Sequence, residues 1–285
     1  YGVDVNPLAV ELAKVSLWLE TLEPGRPLAL LDAQIKVGNS LIGATPTLLL
    51  GGVPDEAFAA LEGDDKKIVT MLKKQNKLER SGQDDLFGET GSVPNARVAG
   101  ELVRVLGARS MSLADIHARR QRLADLDADP AMHHQRLVAD AWCAAFVWPK
   151  RPGGPATVTE GSFRALERGE SVPADTQATV HALAAEYGFF HWHLEFPHVL
   201  GPSEQSTDVV WSGGFDAVLG NPPWEHIELK EQEFFAVRDP QIAAASGAKR
   251  KRLIEGLDGA NPKLAAEFAA EKRHIDGTRH FLSAS

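Results

Sequence analysis

Tyr1-Gly2-Val3-Asp4-Val5-Asn6-Pro7-Leu8-Ala9-Val10, answered further along by Ile35-Lys36-Val37-Gly38-Asn39-Ser40, decides the fold. The apolar run ending at Asp4-Val5 reads as a core strand. Pro7 then falls at a first helical position, where its fixed φ suits a helix start and its missing N–H costs nothing. Leu8, Val10, Leu12, Ala13, Val15, Leu17, Trp18 and Leu19 follow. This apolar face is too wide for a surface helix, so the helix is expected to pack against a sheet. Pro24 and Gly25 close it, and Ile35-Lys36-Val37 reads as a second short strand entering the turn Gly38-Asn39-Ser40. Strand, helix, strand is a βαβ unit, and the fold class is α/β.

Outward from this unit the pattern changes. From about residue 45 to 173 the chain is rich in Ala, Leu, Glu, Lys and Arg with helical apolar spacing and little alternation, which marks a helical insertion. Helices are expected near 55–80, 96–106, 113–126 and 132–147, with a Gly/Ser/Asp-rich break at 81–95 and a Pro/Gly run at 149–155 ending the block. A further helix at 175–186 leads into Phe189-Phe190-His191-Trp192-His193-Leu194-Glu195-Phe196-Pro197. Phe215-Asp216-Ala217-Val218-Leu219-Gly220 reads as a buried strand, being short, apolar and bounded by glycines. Polar helical sequence follows from about residue 229. Three parts are expected: 1–44, an α/β core with cofactor motifs; 45–188, the helical insertion; and 189–285, the catalytic strand, its loop and the following helices.

The bulk composition bounds the function. The 285 residues are 44% hydrophobic and 24% charged, which excludes disorder as the main state. A formal charge of −9 gives no whole-molecule attraction to phosphate, so nucleic-acid contact requires a local basic surface. The single Cys143 cannot form an internal disulfide, and no apolar stretch approaches the roughly 20 residues that span a bilayer. A cytoplasmic protein with no membrane partner is expected. The chain opens directly on a strand, without Met or a signal peptide, and is expected to be a partial sequence.

Asn221-Pro222-Pro223-Trp224 carries the chemistry. It is placed where the strand 215–219 is expected to end, at the sheet edge where open α/β folds bind ligands. With this composition the tetrapeptide is expected by chance in roughly one such sequence in two thousand. The alternative is a Pro-rich turn with a buried Trp. The segment resembles the hallmark Asn/Asp-Pro-Pro-aromatic motif of the amino-group DNA methyltransferases. In that family the Asn oxygen and the first Pro carbonyl accept hydrogen bonds from the target amine. The resemblance implies Asn221, Pro222, Pro223 and Trp224 as catalytic residues. An exocyclic amine conjugated with its ring is a poor nucleophile until fixed acceptors orient its N–H bonds, and two prolines preorganise those acceptors. Trp224 offers a face for an extruded base, a contact worth about 1–3 kcal/mol.

Asp4, at a strand end before a helix, is placed to accept hydrogen bonds from ribose hydroxyls; alternatively it caps the helix. Gly2-Val3-Asp4-Val5-Asn6-Pro7 resembles the family's second cofactor motif, implying Asp4 as ribose ligand, with Asn6 and Pro7 bordering the adenine of S-adenosylmethionine. Val37-Gly38-Asn39-Ser40-Leu41-Ile42-Gly43 resembles the third motif, implying Asn39 at the adenine amine, although many members carry Asp there. The competing reading of Asn39 is a glycine-flanked turn. His191-Trp192-His193 lacks the rest of a metal-ligand set, and no metal is expected. Its stretch resembles the His/Trp-Leu-Glu-Phe-Pro segment of large bacterial restriction-modification methyltransferases, implying a role in packing the insertion onto the sheet. Lys249-Arg250-Lys251-Arg252 is either a DNA-phosphate contact or a solvated helix face.

The motif order is similar to that of the large adenine-specific methylases of restriction-modification and phage-exclusion systems. It implies a partial class I, Rossmann-like sheet with a large helical insertion. It also implies methylation of the adenine N6 amine in double-stranded DNA, with other defence-system subunits as further partners. The Gly-rich loop that the family places before Asp4 is not in this sequence, so this chain alone is expected to be weakly active or inactive. Methylation of RNA adenine, of cytosine or of protein glutamine, and a non-catalytic DNA-binding relic, are the competing readings.

Overall fold

Strand β1, Gly2–Asp4, pairs in parallel with β2, Ile35–Val37, in the register Gly2 to Ile35, Val3 to Lys36 and Asp4 to Val37. Between them runs helix α1, Pro7–Thr21, so the chain does open on the βαβ unit expected from its periodicity. The computed structural model describes residues 1–21, 28–83, 96–108, 112–201, 213–220 and 227–285. Asn6 starts α1, its Oδ1 accepting from the Leu8 and Ala9 amides at 2.9 and 3.4 Å. Val10 is buried, and Lys14 is held at 2.8 Å by both Glu11 and Asp32. The rest of the wide apolar face expected to pack on a sheet stays exposed: Leu8, Leu12, Val15, Leu17, Trp18 and Leu19 are each 38–65% exposed. Among the described residues the sheet has only two three-residue strands, too little surface to cover an apolar face that wide.

The insertion is helical, as its spacing predicts. It contains α2, Pro46–Leu50, α3, Lys66–Gln83, α4, Ala96–Gly107, α5, Leu113–Asp127, and α6, Pro130–Val147. Residues 55–57 form a separate 3-10 turn, rather than the start of α3. Asp65 imposes that later start, taking the Lys67 amide at 2.7 Å and the Ile68 amide at 3.3 Å as an N-cap does. Next come α7, Glu160–Glu167, α8, Ala174–Tyr187, and the short α9, Trp192–Glu195. Gly188 ends α8 in the left-handed region at φ 65°, where a side chain would be strained.

Helix α6 is the axis of the core, with every residue from Val138 to Trp148 buried. Its run of alanines lets neighbours approach closely, while Trp142 and Phe146 interlock at 4.8 Å between ring centres and meet Phe281 edge-on. The chain continues through α10, Glu231–Ala236, α11, Pro240–Ala244, α12, Gly247–Glu255, α13, Leu257–Ala260, and α14, Pro262–Ala284. Phe234, Phe235, Ile242, Leu257, Leu264 and Phe268 form a second, smaller core there. Helix α14 returns to α6, whose last carbonyls, Val147 and Trp148, accept from Arg273 at 3.2 and 2.8 Å. Arg273 also pairs with the fully buried Asp64 at 2.6 Å, so one cation serves a helix C-terminus and a carboxylate.

Residues 215–219, expected as a buried strand, have no regular structure, and Val218 and Leu219 are 78% and 97% exposed. A strand persists only where a neighbour takes its backbone N–H and C=O groups. Among the described residues the sheet has two strands, β1 and β2, and this run pairs with neither. Only Phe215 packs, its ring within 6.2 Å of those of Tyr1, Trp192 and Phe196.

Candidate active site

Asp4 is the last residue of β1 and Asn39 lies two residues past β2, so both stand at the carboxyl edge of the two parallel strands. The Asp4 carbonyl accepts from the Gly38 amide at 2.9 Å, which joins the two strand ends directly. The Asp4 carboxylate is exposed, and its Oδ1 takes the Asn6 amide at 2.7 Å. Its Oδ2 accepts from no described residue. Asn6, not Asp4, caps α1, so the capping alternative for Asp4 does not hold. Pro7 sits exposed at the first helical position. Asn39 does serve a turn: its Oδ1 accepts from the Leu41 amide at 3.1 Å, and its own amide donates to the Gly188 carbonyl at 2.7 Å. One amide lone pair is thereby engaged, while the carboxamide remains half-exposed at the edge.

This edge is locked in place from behind by the segment after α8. Phe190 donates its amide to the Ile42 carbonyl at 2.8 Å and lies so close to Gly43 that a Cβ there would collide with the Phe190 carbonyl oxygen. His191 is buried; its Nδ1 accepts from the Ala44 amide at 3.0 Å, which leaves Nε2 to donate to Asp140 on α6 at 2.9 Å. That network assigns a neutral imidazole bridging sheet and insertion. Glu195 repeats the device with charge, pairing with Lys36 of β2 at 2.6 Å and with Arg136 of α6 at 2.9 Å. Burial pushes its carboxyl up, but the two cations outweigh burial and hold it below the usual carboxylate range. Burial drives His193 down to about 3, so it stays neutral. Among the described residues no group of three or more His, Cys, Asp or Glu is placed to hold a metal.

The expected packing role of the His191 to Phe196 stretch thus has atoms attached to it. Sequence reading did not single out Asp140, Lys36 or Arg136. The one legible signal was an acid amid the alanines of an apolar helix, since a buried carboxylate requires a partner. Behind Glu195 lies a cavity of about 320 Å³, bordered by Lys36, Arg136, Arg120 and Asp127. It opens at the seam of sheet and insertion, and neither Asp4 nor Asn39 lines it.

Asn221, Pro222, Pro223 and Trp224 lie outside the described residues. The basic run on α12 is described, and the structure divides it. Arg250 donates to the Ile242 and Ala243 carbonyls at the end of α11, whereas Lys249, Lys251 and Arg252 are exposed, Lys251 standing 4.0 Å from Glu255.

A small parallel sheet, an acid and an amide on its carboxyl edge and a mainly helical remainder are compatible with part of a methyltransferase fold. The chain belongs to the Eco57I restriction-modification methylase family, whose model matches residues 1–252. It is therefore a methylase of the restriction-modification class. No curated protein matches the chain, and no solved structure does. Among the described residues no helix is long and apolar enough to cross a membrane.

Proposed function

We propose that the protein uses S-adenosylmethionine to methylate the N6 amine of adenine in double-stranded DNA, within a restriction-modification or phage-defence system. The observation that carries this reading is the Asn-Pro-Pro-Trp segment inside the span matched by a restriction-modification methylase family. The open Asp4 and Asn39 edge supports the cofactor half: an exposed carboxylate with a spare oxygen suits a ribose diol, and an amide suits an adenine amine. In this reading Asn6 and Pro7 border the cofactor adenine, residues 1–44 are part of a Rossmann-like core, 45–188 the insertion, and 189–285 the catalytic part. The protein works in the cytoplasm, with DNA and other defence-system subunits as partners.

When bound, S-adenosylmethionine would supply an electrophilic methyl group on a sulfonium sulfur, which the amine nitrogen would take in line as the C–S bond breaks, the thioether leaving and the amine giving up one proton, without a covalent enzyme intermediate. Asn221 Oδ1 and the Pro222 carbonyl accept the amine's N–H bonds and orient its lone pair. Pro223 holds the backbone of the loop, and Trp224 stacks on the extruded base. Lys249, Lys251 and Arg252 meet DNA phosphates, while Arg250 anchors their helix to α11.

Expression of the full-length gene as wild type and as Asn221→Ala, with single-molecule sequencing of host DNA, tests the reading. Methylated adenine at one recurring sequence, lost in the variant, is the expected result. Methylation that survives the substitution moves the active site elsewhere. None in either strain favours RNA, protein glutamine or a non-catalytic relic.

A further inference from the structure

Helix α3 concentrates positive charge on one face of an acidic protein. Its stretch from Lys66 to Lys77 carries Lys66, Lys67, Lys73, Lys74 and Lys77 and no acid, although the whole chain has a formal charge of −9. All five lysines are exposed, and none forms an ion pair with a described residue. Several other surface cations of this chain are matched, Lys251 with Glu255, Lys263 with Glu267, Lys272 with Glu62, Arg168 with Glu170 and Arg279 with Asp276, although Lys249 and Arg252 on α12 are not paired with a described residue. At about 100° per residue, Lys66, Lys73 and Lys77 form one stripe, with Lys67 and Lys74 roughly a quarter turn round.

The opposite face is held rigidly. Leu72 enters the main core, and the fully buried Asn76 donates to the Val53 carbonyl and to Asp55 at 2.9 and 2.8 Å while accepting from the Glu160 amide at 2.8 Å. The nearest acid on the helix, Glu79, points inward too, taking the Gly161 amide at 2.8 Å. The helix is thus fixed on one side and presents on the other five ammonium groups unmatched by any described residue, over a rise of about 16 Å. An external polyanion would relieve the self-repulsion among those lysines. A DNA duplex, with one phosphate charge per about 1.7 Å of axis, has the matching charge density.

We infer that the lysine face of α3 is a phosphate-docking surface for duplex DNA, separate from the α12 cluster and without base readout. This rests on the reading of DNA as substrate. It assigns to the helical insertion a role that its sequence motifs do not reveal, namely holding the duplex by its backbone.

The test is the full-length enzyme with Lys73→Gln, Lys74→Gln and Lys77→Gln together, its affinity for one duplex measured over a series of salt concentrations. Removing one lysine–phosphate pair lowers the slope of log affinity against log salt by about 0.9, so the triple variant is expected to lose up to about 2.7. The loss is expected to be equal for unrelated sequences, and the same three positions as arginine are expected to restore the slope. An unchanged slope in the glutamine variant, with wild type binding normally, overturns this surface and leaves DNA methylation standing. A loss confined to one sequence at unchanged slope also overturns it. Wild type that binds no duplex even at low salt sinks both this surface and the DNA reading.

Discussion

Replacing Glu195 by Gln tests whether the insertion is fastened to the sheet by charge. The carboxylate is largely buried and lies 2.6 Å from Lys36 and 2.9 Å from Arg136. Glutamine keeps the volume but leaves two partly buried cations facing a neutral amide. Breaking a buried ion pair at one partner costs about 3–5 kcal/mol. Lys36 and Arg136 retain some solvent, and Arg136 also has Asp127 at 3.8 Å, so the lower end, about 3 kcal/mol, is expected here. Chemical denaturation of wild type and variant at neutral pH reads this as a shift in midpoint. The pH dependence has a definite sign. The folded carboxyl lies below its usual value, so its contribution is present above the unfolded value of about 4.3 and is lost as pH falls through the lower folded value. The gap between wild type and variant should therefore close in acid. Equal midpoints at neutral pH would refute the fastening role, and a gap that widens in acid would refute its electrostatic origin.

Three further outcomes are expected. Asp4→Ala should weaken S-adenosylmethionine binding to the full-length enzyme by about 10- to 100-fold in a calorimetric titration while leaving the thermal midpoint nearly unchanged, because the residue is exposed and a charged hydrogen bond contributes about 1.5–3 kcal/mol. Asn76→Ala should destabilise by about 2–3 kcal/mol in urea, since it orphans the Val53 carbonyl and the Glu160 amide in the core; a neutral result would mean that the α3 platform is not built as described. Gly43→Ala should lower stability by about 2–4 kcal/mol or prevent folding, its Cβ meeting the Phe190 backbone, and a variant with wild-type stability would show that this crossing is loose.

Local periodicity and punctuation determined the βαβ opening and the helices of the insertion, because these depend on residue spacing and on φ preferences that each segment carries alone. The position of Asp4 and Asn39 at the ends of the two strands was legible for the same reason: a strand end next to a turn is a local feature. What only the tertiary structure decided is whatever needs a second segment. The run 215–219 has the composition of a buried strand and yet stands exposed, because strand status depends on a neighbour's edge. The apolar face of α1 likewise reads as buried and is not. In the other direction, Asp140 with His191, Glu195 with Lys36 and Arg136, and Arg273 with Asp64 join residues far apart in the chain, and only packing brings these partners together. The lysines of α3 belong to both levels. Their spacing is written in the chain, but that they face solvent, unpaired with any described residue, follows from where Leu72, Asn76 and Glu79 are anchored.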